Sequence, residues 1–145
     1  MLAIEPVRAG DVDPVARLAL RALQEQYDPE WLASQAQSSG TFLVARDVPT
    51  NHIVGFAVAN RDACEAHLLA IAVERQRRGE GIGSALLSNV RDELARAGAF
   101  RLSLEVRADD PGAQAFYQRH GFWPDGLQSR VYSDGGDAVK MTRPL

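Results

Sequence analysis

The chain has 145 residues, 46% hydrophobic and 24% charged, the size and composition of one globular domain spanning 1–145, and its net charge of −3 gives no general pull toward nucleic acid. Its one cysteine, Cys64, excludes an internal disulfide and lacks the Cys/His neighbours of a structural zinc site, so no metal is expected. No window approaches the roughly 18 to 20 apolar residues of a membrane span, and "MLAIEPVRAGDVDP" lacks the charged-then-apolar order of a signal peptide, so the expected location is cytoplasmic, away from membranes.

In chain order, "LAIEPVR" reads as a short strand. In "GDVDPVARLALRALQEQY", Val15, Leu18, Ala22 and Leu23 recur at helical spacing, with Asp11 as the expected cap. "DPEWLASQAQ" predicts a second helix, capped by Asp28 and started by Pro29. The runs "TFLVARD", "HIVGFAVAN" and "EAHLLAIAV" read as strands, and their short connections imply an antiparallel meander. A helix follows in "GSALLSNVRDELARAG", where Leu86, Leu87, Val90 and Leu94 share a face and Gly98 ends it. In the strand "FRLSLEVR", Leu102, Leu104 and Val106 point one way, and Arg101, Ser103, Glu105 and Arg107 the other. "DPGAQAFYQRHG" predicts a helix with Asp110 as cap, and "SRVYSDGGDAVKMTRPL" a hairpin turning at "DGG". The order implies α+β, or α/β by some schemes, with one strand-helix-strand crossover in a largely antiparallel sheet.

The segment "ERQRRGEGIGSALL" lies at that crossover. The first turn of a helix presents unpaired amides and the positive end of its dipole, and Gly79, Gly81 and Gly83 let the backbone approach a ligand closely. The result is an anion cradle suited to phosphate, with Arg75, Arg77 and Arg78 as rim charges. A P-loop needs a lysine after its second glycine, and the only lysine is Lys140. A dinucleotide fingerprint needs a third glycine where Leu86 stands.

"AHLLAIAVERQRRGEGIGSALL" resembles the acetyl-CoA signature of the GNAT acetyltransferase superfamily, Arg/Gln-x-x-Gly-x-Gly/Ala, through Arg78, Gly81 and Gly83. "LSLEVRADDPGAQAFYQRHGF" and the tail "RVYSDGGDAVKM" are similar to segments of the bacterial ribosomal-protein alanine N-acetyltransferase (RimI-like) subgroup. The resemblance implies the GNAT fold, a mixed and mostly antiparallel sheet flanked by helices, and acetyl transfer from acetyl-CoA directly to an amine.

By the same resemblance Glu105 is the general base and Tyr117 the general acid, with Glu65 or His67, through a water relay, as alternative bases. The backbone of Ile71, Ala72 and Val73 is expected to meet the acetyl and pantetheine portions; Arg78, Gly79, Glu80, Gly81, Ile82, Gly83 and Ser84 to hold the pyrophosphate; and Tyr117 to touch the cofactor. Asp110 stands where the family usually has asparagine, and is either a pantetheine contact or only a helix cap. His120 is most simply a residue placed well against a helix dipole. The acceptor is a protein N-terminus or a small amine, and a non-catalytic acyl-CoA sensor is the third reading. The expected assembly is a monomer or homodimer.

Overall fold

The computed structural model describes residues 1–145 in the order β1 (Leu2–Pro6), α1 (Val12–Leu23), α2 (Pro29–Ala36), β2 (Thr41–Asp47), β3 (His52–Asp62), β4 (Glu65–Val73), α3 (Ile82–Arg96), β5 (Arg101–Arg107), α4 (Pro111–Arg119), β6 (Trp123–Gln128) and β7 (Ala138–Pro144). The strands form one sheet in the order β1-β2-β3-β4-β5-β7-β6. All neighbours are antiparallel except β4 and β5, which the crossover helix α3 makes parallel. No helix is long and apolar enough to cross a membrane.

Strand alternation sorts the core onto the two faces of the sheet. Leu43, Ala57, Leu102, Leu104 and Val106 pack with Leu86, Leu87, Val90 and Leu94 beneath α3. Phe42, Val44, Phe56 and Val58 pack with Val15, Leu18 and Leu32 beneath α1 and α2.

Two irregularities shape the centre of the sheet. Val58 pairs with Ala70 but Ala59 with Leu68, so Leu69 is an extra residue in β4 and the strand changes phase there. Ala66 and Leu68 therefore join the α3-side core while Ala70 and Ala72 join the other. The odd-numbered residues swap in the opposite sense: His67 faces α1 and α2, whereas Ile71 and Val73 pack toward α3. The second irregularity is that β4 pairs with β5 only from Glu65 to His67, against Arg101 to Ser103. Beyond those pairs the two strands part, and the sheet has a gap.

Three expectations need correction. The first helix stops at Leu23, where Gln24 takes a left-handed conformation with φ 56°. The final hairpin has its first arm at β6, and "DGG" lies within the connecting loop rather than between two adjacent arms. Asp11 does not cap α1. Its carboxylate turns back to accept from the backbone N–H of Arg8 at 2.8 Å and from Nη2 of buried Arg46 at 2.7 Å.

Arg46 also donates through Nε to Glu5 at 2.7 Å, so a buried cation joins β1, β2 and the start of α1. Removing one partner of such a pair costs about 3 to 5 kcal/mol, and the surviving Glu5 contact puts Asp11→Ala near the lower end. The expected melting temperature is about 10 °C lower, read by circular dichroism. Asp11→Leu with Arg46→Met should recover most of the loss, because no cation then remains buried. An unchanged melt of the single variant would refute the buried pair.

Candidate active site

The turn into α3 is built from backbone. Gly79 and Gly81 have φ +84° and +83°, a region that L side chains rarely adopt, although a Cβ at either place would meet nothing within 4 Å. The requirement for glycine is thus conformational, not steric. The amides of Gly79 through Ser84 donate to no acceptor in the protein, and the first satisfied amide is that of Ala85, bound to the Gly81 carbonyl at 3.0 Å. A row of free donors at a positive helix end is the fit a pyrophosphate requires.

These donors line a cleft of about 620 Å³ between the end of β4, the start of α3 and α4. Its wall contains Ile71, Ala72, Val73, Arg78, Gly79, Gly81, Ile82, Gly83, Ser84, Asp110 and Tyr117, every residue assigned to the cofactor from the sequence except Glu80. Glu80 turns aside to Arg77, 3.1 Å from its Nε, so Arg77 is not the free rim charge that the sequence suggests. Arg78 is anchored as well: its Nη2 donates to the Ala22 carbonyl at 3.2 Å and ties the turn to the end of α1. Phe116 and Arg119 also line the cleft and were not singled out from the sequence; their helical spacing from Ala113 was the available signal.

Tyr117 is buried and pairs edge-on with Phe116 and Phe122. Burial, then the nearby Asp110 charge, holds its hydroxyl well above the usual phenol range, so it is protonated at neutral pH. Asp110 caps α4, accepting from the Ala113 amide at 3.0 Å, and also faces the cleft. Burial, and then the charges of Arg91, Arg119 and Arg143, lower the pKa of His120, which disfavours the charged form that a helix dipole would stabilise at this C-terminal position. Its Nε2 instead meets the Ser84 hydroxyl at 3.0 Å.

Glu105 is absent from that cleft, for a topological reason. It projects from β5 opposite to Leu104 and Val106, hence toward the α1 and α2 side. There its Oε2 lies 2.6 Å from Nε2 of His67, just where β4 and β5 begin to part. The two candidate bases are one pair. Glu65 is excluded from it, because its carboxylate is engaged by Arg101, which lowers its pKa. Cys64 is exposed, and Trp31 stacks on Tyr27 at 5.6 Å. No group of three or more His, Cys, Asp or Glu side chains is placed to hold a metal ion.

The chain is 36% identical over 96 residues to the [ribosomal protein bS18]-alanine N-acetyltransferase of Escherichia coli, covering 64% of this chain and 65% of that one. It is 26% identical over 152 aligned residues to an N-alpha-acetyltransferase of Saccharolobus solfataricus, covering 95% and 90%. The crystal structure of the E. coli ribosomal-protein-S18-alanine N-acetyltransferase superposes with a TM-score of 0.90 at 28% identity, over 100% of this chain and 94% of that one. The model of the acetyltransferase (GNAT) family matches residues 12–122, a span that takes in the amide cradle, the split between β4 and β5, and Tyr117. The chain belongs to that family and is an acetyl-CoA-dependent N-acetyltransferase.

Proposed function

We propose that the acceptor is the α-amino group at a protein N-terminus, of the ribosomal-protein alanine type, and that Glu105 and His67 take its proton. The observation that carries this reading is the 2.6 Å contact between them at the gap in the sheet. An α-amino group has a reference pKa of about 8 and arrives mostly protonated at neutral pH, so a base on the acceptor side of the gap is what the reaction needs. The names of the E. coli and S. solfataricus relatives support the same acceptor class.

Acetyl-CoA supplies an acetyl thioester, held with its phosphates against the amides of Gly79 through Ser84 and its arm along Ile71 and Val73. The acceptor enters from the α1 and α2 side. Glu105 accepts the ammonium proton, with His67 holding its carboxylate in place, and the freed amine reaches the thioester carbonyl through the gap. Tyr117, on the cofactor side, gives its hydroxyl proton to the departing sulfur. No covalent acetyl-enzyme is needed, since the two reactants meet directly. Tyr132, from the loop before β7, lies close enough to Glu105 for that charge to act on its hydroxyl, and the Arg107 guanidinium lies 4.5 Å from its ring centre while bound to Asp109 and Asp134.

The test is mass-resolved acetyl transfer to peptides with different first residues, peptides blocked at the N-terminus but containing lysine, and small amines. Acetylation confined to free peptide N-termini, strongest with a small first residue, is expected. Transfer to small amines alone would overturn the assignment.

A further inference from the structure

The loop between β6 and β7, residues 129–137, is braced within itself. The Val131 and Tyr132 amides donate to the Gly136 carbonyl at 2.9 and 3.2 Å, the Gly135 amide donates to the Tyr132 carbonyl at 2.9 Å, and Asp137 Oδ1 accepts from the Arg130 amide at 3.0 Å. A loop tied in this way moves as one body, so its fastening sets where Tyr132 lies. The side chain that fastens it is Arg107, the last residue of β5. Its Nη2 donates to Asp134 at 2.7 Å and its Nε to Asp109 at 3.0 Å, and its guanidinium lies 4.5 Å from the centre of the Tyr132 ring. Gly136 shows how closely the guanidinium is seated, because a Cβ there would lie 2.5 Å from Nη2. A planar fork can bond two carboxylates while stacking on a ring, which a lysine ammonium cannot do.

This clamp stands beside the proposed base. Arg107 follows Glu105 by two residues in β5, so both side chains leave the same face of the sheet, about 7 Å apart along the strand. The ring held by the guanidinium therefore borders the α1 and α2 side of the gap. Burial raises the pKa of the Tyr132 hydroxyl, Arg107 opposes that rise, and Glu25 and Glu105 add to it, as the same placement requires. Asp109 and Asp134 are exposed, and exposed ion pairs add little to stability, so the clamp fixes a position more than it holds the fold.

We propose that Arg107 is a positioning residue for acetyl transfer: it holds Tyr132 and its loop over the α1 and α2 side of the gap, and so confines the incoming amine beside Glu105. The inference rests on the proposed entry of the acceptor from that side. A freed loop leaves the base and the amide cradle intact but lets the acceptor sit in more ways, which weakens its binding and reduces the share of bound amine in line for attack.

Steady-state kinetics with a peptide bearing a free N-terminal alanine, beside calorimetric titration of acetyl-CoA, tests this. Arg107→Met should raise the peptide KM by about tenfold or more and leave acetyl-CoA affinity within about twofold, because the Arg107 backbone stays paired with Ala138 and bound by Gln114. Its melting temperature should change by less than about 3 °C. Gly136→Ala reaches the same clamp from the loop and keeps the test open should Arg107→Met not fold. Its methyl displaces the guanidinium, and Gly136 has no positive φ to strain. It should also raise the peptide KM, and Arg107→Met/Gly136→Ala should be no worse than Arg107→Met alone, since no guanidinium then remains to displace. An unchanged peptide KM in both single variants would overturn the clamp, as would effects that multiply in the double variant, or a loss of acetyl-CoA affinity as large as the rise in KM. If the wild type acetylates no free peptide N-terminus, the acceptor assignment fails and takes the inference with it.

Discussion

Replacing Glu105 by Gln is expected to lower kcat at pH 7.0 by about 10²- to 10³-fold, with the KM for acetyl-CoA changed less than twofold. The two parameters separate because Glu105 lies on the α1 and α2 side of the gap, where the acceptor is proposed to enter, and does not line the amide-walled cleft. The pH dependence distinguishes a base from a merely structural carboxylate. With a reference pKa near 8, about one α-amine in ten is neutral at pH 7, and nearly all are neutral at pH 9.5. The variant should therefore recover as pH rises, its deficit narrowing by about tenfold, because solvent then removes the proton that Glu105 no longer accepts. His67→Ala should show the same recovery from a smaller deficit, since it leaves the carboxylate present without its partner. A deficit constant between pH 7 and 9.5 would sink the base assignment and leave Glu105 as a residue that shapes the acceptor site.

Much of this arrangement is legible in the chain, and the illegible parts share a cause. The cradle can be read because its ingredients are consecutive: a strand, alternating glycines and an apolar helical face. Glu105 and His67 can each be placed on a strand, but 37 residues separate them, and alternation says which face a side chain takes, not which neighbour it meets. Asp11 fails as a cap for the same reason: a buried arginine 35 positions away competes with the local amides, and the charged partner wins. The Leu69 bulge leaves no trace because "EAHLLAIAV" is apolar on both faces beyond His67, so a one-residue slip changes no pattern. That slip sorts one strand onto both sides of the sheet. It turns His67 toward the α1 and α2 side while Ile71 and Val73 turn toward α3. β6 is hidden by Pro124 and Gly126, and every residue in it is exposed; only an edge position tolerates that composition.

At Gly81, stability and binding should respond in opposite directions to charge. Gly81→Ala introduces left-handed strain of about 1 to 2 kcal/mol but no clash, because nothing lies within 4 Å of the added methyl. Its melting temperature should fall while acetyl-CoA affinity drops less than tenfold. Gly81→Glu carries the same strain and places a carboxylate beside the unpaired amides of Gly79 through Ser84. In the free protein that carboxylate accepts from them and complements the helix dipole, so this variant should melt no lower than the alanine one. When the donor arrives, the same carboxylate holds the amides a pyrophosphate needs and repels its charge. Affinity should fall by at least about 100-fold, and part of the loss should return at high salt as the repulsion is screened. A glutamate variant that melts like the alanine one yet binds acetyl-CoA normally would show that the phosphates lie elsewhere. A loss equal in both variants would assign the effect to backbone strain, and only a loss specific to glutamate identifies the amides themselves as the anion site.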